Sequence, residues 1–136
     1  MAAFSSAIES YSKHAVTSEA IEASPHRIIQ MLMDGFMERI AYAKGHIERG
    51  DMPGKSQYIS KAIGIVNGLR SCLDMDKGND IAANLNDLYD YINRRLIEAN
   101  SGNDTKILAE VSSLMAEVKQ GWDAIPEDYK YHQQLG

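Results

Sequence analysis

One uninterrupted run constrains this chain more than any other: Leu88-Tyr89-Asp90-Tyr91-Ile92-Asn93-Arg94-Arg95-Leu96-Ile97-Glu98-Ala99-Asn100. Leu88, Ile92, Leu96 and Ala99 recur at spacings of four, four and three, which places them on one face of an α-helix. The tyrosines and the paired arginines flank that face. A helix with one apolar stripe must bury it against other elements, so the rest of the chain is read for partners of the same kind.

Three such partners follow from the spacing. A first helix starts at Ser24-Pro25, where serine is a good cap and proline suits a position whose N–H has no partner anyway. Its stripe is Ile29, Leu32, Phe36, Ile40, Ala43 and Ile47. It stops near Gly50, before Asp51-Met52-Pro53-Gly54, which reads as a turn by composition. A second helix runs from about Lys55 to Leu73 through Ile59, Ala62, Val66 and Leu69. Asp74 to Gly78 breaks the pattern, and Asn79 is a cap for the third helix, which carries Ile81 and Leu85 ahead of the run above. Ser101-Gly102-Asn103 ends it. A fourth helix spans about Asp104 to Asp123, with Ile107, Val111, Leu114, Val118 and Trp122 on one face, and Pro126 stops it.

No period-two alternation is long enough for a strand. The fold class is therefore all-α: four helices with short connections, packed up-down-up-down as an antiparallel four-helix bundle. Residues 1–23 form an N-terminal arm or cap segment, 24–125 the bundle, and 126–136 a flexible, mobile tail. The arm carries a short apolar cluster of Phe4, Ala7, Ile8 and Tyr11. A helix this short is marginal alone in water and needs a surface to lie on.

Charge and composition narrow the function. The net charge of -5 and the lack of a basic stripe argue against nucleic acid, which needs cations to displace counterions from phosphates. The single cysteine, Cys72, has no intramolecular disulfide partner and gives no metal cage, which suits a reducing cytoplasm. The first residues lack a basic segment followed by an apolar one, and no apolar run approaches the ~20 residues that span a bilayer. No cofactor is expected, and no metal: a di-metal bundle needs Glu-x-x-His motifs, and none occurs. His14, His26 and His132 sit near segment ends or in loops, and His46 near the end of the first helix reads as exposed or locally bonded. Phosphate-cradling loops and nucleophile elbows are missing too, so an enzyme is not expected.

The second helix has an unusually broad apolar face. Tyr58, Ile59, Ala62, Ile63, Ile65, Val66, Leu69, Cys72 and Leu73 cover roughly 180° of arc, against the ~100° that one core face needs. Either this helix touches two neighbours in a compact bundle, or part of its face lines a groove for an apolar helical segment of a partner. Met31, Met33 and Met37 likewise read first as core filler and second as an adaptable binding surface. Tyr89 and Tyr91, at opposite edges of the third-helix stripe, read as core-sealing residues with their hydroxyls in solvent.

The ordered set Tyr11, Ala23-Ser24-Pro25, Met31-Leu32-Met33-Asp34-Gly35, Lys61-Ala62, Leu69, Leu73, the Leu88–Asn100 run, Asn103-Asp104 and Trp122 resembles the flagellar export chaperone family FliS across nearly the whole chain. Met33 stands where that pattern has tyrosine, and the spacing from Tyr11 to Pro25 is longer than typical. The resemblance implies a four-helix bundle that binds the C-terminal segment of flagellin, blocks premature polymerisation and keeps the cargo competent for flagellar type III export. It also implies that Ile8 and Tyr11 cap a groove until cargo displaces them. Carried onto the helical wheel, the groove residues are Ile63, Ile65 and Cys72 on the second helix, Tyr89 on the third, and Leu108 and Met115 on the fourth. Other flagellar export or regulatory proteins are further partners to consider. The alternative is a helical adaptor or self-associating bundle that binds a regulatory protein.

Overall fold

The computed structural model describes residues 24–73 and 80–124, and within them four helices. They are α1 (Pro25–Glu48), α2 (Met52–Ser71), α3 (Asp80–Gly102) and α4 (Thr105–Ala124). No strand occurs among the described residues. The arm of 1–23, the break at 74–79 and the tail of 126–136 lie outside them.

Each helix end has a local cause. Ser24 caps α1: its hydroxyl accepts the Arg27 N–H at 3.2 Å, with Pro25 in the first turn. Gly50, at φ 76°, closes the other end, and the Asp51 N–H reaches the His46 carbonyl at 2.8 Å. Glycine belongs at this left-handed position because a Cβ would be strained there. Asp51 then opens α2 by accepting the Gly54 N–H at 3.0 Å. The stretch Met52-Pro53-Gly54 is thus the first turn of α2 rather than a free turn. Proline is tolerated there because the first N–H groups have no helical acceptor. Asn103 takes the left-handed conformation at φ 52°, and the Asp104 N–H bonds to the Ala99 carbonyl at 3.1 Å. Asp104 then caps α4 through the N–H groups of Lys106 and Ile107.

The helices close into a ring: α1 packs on α2 and α4, and α3 packs on α2 and α4. Cross-helix contacts fix an antiparallel register at every seam. His46 meets Tyr58 between α1 and α2, Arg70 meets Asn86 between α2 and α3, Arg95 meets Glu110 between α3 and α4, and Asp34 meets Lys119 between α1 and α4. This is the up-down-up-down bundle that the sequence predicts.

The core follows the expected stripes with informative shifts. Ile29, Leu32, Phe36, Ile40 and Ala43 of α1 are buried, as are Ile59, Ala62, Val66 and Leu69 of α2 and Ile92, Leu96 and Ala99 of α3. Met31 and Met33 are buried and Met37 packs against the core, so these methionines fill the interior. Ile81 departs from expectation: it is 71% exposed. Register explains it. Arg70 opposes Asn86, so Ile81 lies beyond the end of α2 at Ser71, with no α2 face to receive it. On α4 the buried set is Ile107, Leu108, Val111 and Met115, while Leu114, Val118 and Trp122 are only partly buried. The buried face is rotated by about one position from the expected stripe, a shift that a 3.6-residue period tolerates.

Candidate functional site

The run that dominates the sequence is the hub of the bundle. Its apolar members Ile92, Leu96 and Ala99 have no exposed surface. Its polar members tie both flanking helices. Toward α4, the Tyr91 hydroxyl donates to Glu110 Oε2 at 2.6 Å and Arg95 Nε donates to Glu110 Oε1 at 2.8 Å. These two bonds, Tyr91 first, hold the Glu110 carboxyl below its usual range, and the Glu110 bond raises both donors' pKa values in turn. Toward α2, Asn93 donates to Asn67 Oδ1 at 3.0 Å, and Asp90 lies between Arg94 at 3.1 Å and Arg70 at 3.9 Å. Tyr91 is therefore a bonded cross-helix residue, and Tyr89 is buried at 2% exposure rather than an edge residue with a solvated hydroxyl.

The end of α3 is held by two residues of α2 that the sequence reading missed. Lys55, a lysine only 6% exposed, donates to the Asn100 carbonyl at 2.7 Å and to Asn103 Oδ1 at 2.5 Å. Ser56 donates to Asn100 Oδ1 at 3.0 Å. A cation at a helix C-terminus meets carbonyls that have no helical donor and the negative end of the macrodipole. Glu110 was missed likewise. The signal available for both was indirect: Tyr91, Arg95 and Asn100 are polar residues beside an apolar stripe and need partners.

The six groove residues named from the sequence all belong to or pack against one hydrophobic cluster. Leu108 and Met115 are 0% exposed, and Tyr89 and Ile65 are buried as well. Ile63 and Cys72 are partly buried and line the cluster's edge. Contact between a partner and Leu108 or Met115 thus requires the helices to part, whereas Ile63 and Cys72 present some surface as they stand. Burial pushes the Cys72 thiol up to about 12, and its hydrogen is directed at the Gly68 carbonyl at 3.4 Å. Ile8 and Tyr11 lie outside the described residues.

Trp122 ties the far end of α4 to the start of α1. Its indole N–H donates to the His26 carbonyl at 3.1 Å, and the two rings stack at 5.5 Å. Alongside, Gln30 donates to Asp123 at 2.6 Å, and Lys119 bridges Asp34 and Asp123 at 3.6 and 3.0 Å. His46 is locally bonded, 2.9 Å from Asp51. Among the described residues no cluster of three or more His, Cys, Asp or Glu side chains forms a metal cage, and no helix is long and apolar enough to cross a membrane.

Fold and seams together define a small antiparallel four-helix bundle whose most distinctive helix is spent on binding its neighbours together. The family model described as flagellar protein FliS matches residues 7–129. The chain is 49% identical over 119 residues to the flagellar secretion chaperone FliSB of Pseudomonas aeruginosa, covering 88% of this chain and 94% of that one. It is 42% identical to the flagellar secretion chaperone FliS of Vibrio cholerae, over 90% of each chain, and 42% identical to that of Salmonella typhimurium, over 88% of this chain and 90% of the other. The chain belongs to the FliS family of flagellar secretion chaperones.

Proposed function

We propose that this protein binds the C-terminal segment of flagellin in the cytoplasm, keeps it from polymerising prematurely, and delivers it competent for flagellar type III export. The observation that carries this reading is the likeness, over nearly the whole chain, to proteins named flagellar secretion chaperones. A disordered segment that folds on binding costs about 2–5 kcal/mol or more in ordering. Apolar burial along an extended surface offsets that cost, and the broad apolar face of α2 supplies side chains of the right kind.

Cargo first meets Ile63 and Cys72 at the edge of the core. Ile65, Tyr89, Leu108 and Met115 join the contact only as the helices part to admit an apolar segment. Ile8 and Tyr11 of the arm cover this region in the absence of cargo. Release follows because packing in the growing filament competes for the same apolar residues.

Titration of the full chain with a flagellin C-terminal peptide, followed by calorimetry and far-ultraviolet circular dichroism, tests the reading. Saturable heat with a gain in helicity supports it. No heat and no gain in helicity overturns it. Concentration-dependent self-association without peptide binding favours a self-associating adaptor instead.

A further inference from the structure

The two halves of α3 are held very differently. From Tyr91 onward the helix is fixed on both sides. Ile92, Leu96 and Ala99 have no exposed surface. Tyr91 and Arg95 bond to Glu110 of α4 at 2.6 and 2.8 Å, and Lys55 and Ser56 of α2 hold Asn100 at 2.7 and 3.0 Å. From Asp80 to Asp90 the grip is thin. Only Ala82 and Tyr89 are buried there, Leu85 and Leu88 are half-buried, and Ile81 is 71% exposed.

One residue of α2 supplies the polar ties of this half. Arg70 donates to Asn86 Oδ1 at 3.1 Å and lies 3.9 Å from Asp90. Toward α4, no side-chain hydrogen bond or ion pair reaches residues 80–90 among the described residues. The facing half of α4 is sewn to α1 instead, through Trp122 to the His26 carbonyl, Gln30 to Asp123 and Lys119 to Asp34. Because Tyr91 and Arg95 both meet Glu110, the antiparallel run brings Leu88 level with Leu114 and Leu85 level with Val118. Leu114 and Val118 are half-buried, and Met115 is fully buried. Apolar contact alone closes this end of the α3–α4 seam among the described residues.

We propose that residues 80–90 of α3 form a gate: they detach from α2 and α4 as one unit while residues 91–102 stay docked, and the cargo segment enters through the gap. The proposal rests on the chaperone reading above and says which part of the bundle yields. Arg70 is the latch, and the paired bonds at Glu110 are the fixed edge. A piece of about three turns is too short to stay helical by itself in water, so detachment unwinds it. Unwinding takes Tyr89 out of the core and uncovers Leu114, Met115 and Val118, a strip that suits an incoming apolar helix. Elements that admit ligands are drawn from the least stable part of a fold, where buried contacts are few. The cost of opening then falls on one sparsely buried stretch, and the rest of the bundle stays folded.

Hydrogen exchange of the full chain, read amide by amide with nuclear magnetic resonance, tests the gate. Amides from Leu85 to Tyr89 should share one opening and exchange at least about tenfold faster than those from Ile92 to Ala99. Arg70→Met, which keeps the apolar stem, should speed the first group about fivefold and leave the second unchanged. Uniform protection along α3, a smooth gradient from its first turn with no shared step, or an Arg70→Met effect spread over the whole bundle would overturn the gate. The same variant should bind a flagellin C-terminal peptide about fivefold more tightly, since affinity scales with the population of the open form. Faster exchange with no gain in affinity would overturn the gate's part in cargo entry. A parent chain that binds no peptide would overturn the chaperone reading and the entry role together, while the exchange pattern still decides whether residues 80–90 open as a unit.

Discussion

The Lys55 ammonium nitrogen lies 2.7 Å from the main-chain carbonyl oxygen of Asn100, a contact that joins the first turn of α2 to the last turn of α3. The lysine is only 6% exposed, so its charge is compensated chiefly by this carbonyl and by Asn103 Oδ1. Removing the ammonium leaves both acceptors without their donor in a half-buried place. Lys55→Met, which keeps the apolar stem, should lower unfolding free energy by about 2 kcal/mol. Urea denaturation checks it, with the midpoint falling and the slope constant. Ser56→Ala, which removes one neutral bond to Asn100, should cost about 1 kcal/mol or less.

Glu110 gives the bundle a component of acid sensitivity. Its folded pKa is depressed by the bonds from Tyr91 and Arg95, below an ordinary value of 4.5. A depressed carboxyl contributes stability above its unfolded pKa and loses it as pH falls through the folded one. Glu110→Gln should therefore be less stable than the parent at neutral pH, and the gap should shrink steadily below about pH 4.5. Thermal midpoints measured from neutral to acid pH decide this. A gap that stays constant across that range would mean the two bonds owe nothing to the charge.

Leu108 and Met115 separate core from binding surface. Both are fully buried, so Leu108→Ala and Met115→Ala should each cost about 2–5 kcal/mol in denaturation. Ile63→Ala, at a partly buried position, should cost less and should weaken binding of a flagellin C-terminal peptide while the protein remains folded. Equal stability losses at all three positions, with no change in peptide affinity for Ile63→Ala, would remove Ile63 from the proposed contact.

Cys72 should be sluggish toward alkylation. The thiolate is the reactive form, and burial holds the thiol at about 12 against an ordinary 9.0. Labelling with iodoacetamide at mildly alkaline pH should run at least about a hundredfold slower than for the unfolded chain, because so little thiolate is present. Mass spectrometry with and without denaturant measures the ratio. If cargo parts the helices near Cys72, the rate should rise on adding the flagellin peptide.

Much of this architecture is legible in the residues alone. Periodic apolar spacing locates the four helices of the described residues, and Ser24-Pro25, Gly50 and Asn103-Asp104 mark their ends, because these signals act within a turn or two of chain. The turn expected at Asp51-Met52-Pro53-Gly54 proved to be a cap and a first helical turn, since the same residue types serve both. Ile81 matches the stripe by period yet stays exposed, and Leu108 and Met115 sit at the stripe's margin yet are fully buried. Spacing reports which side chains share a face, not where the neighbouring helix ends or which way a helix is rotated.

The sequence by itself determined the order of the four helices among the described residues and their antiparallel succession, along with the apolar face of the run from Leu88 to Asn100. Those properties follow from local backbone preference and from apolar side chains leaving water, both of which are written in short windows of chain. The tertiary structure alone decided that Lys55 would hold the end of α3, that Glu110 would join Tyr91 to Arg95, and that Tyr42 would stand open beside Tyr58. Each of these depends on the rotation and register of one helix against another, which only the closing of the whole bundle sets.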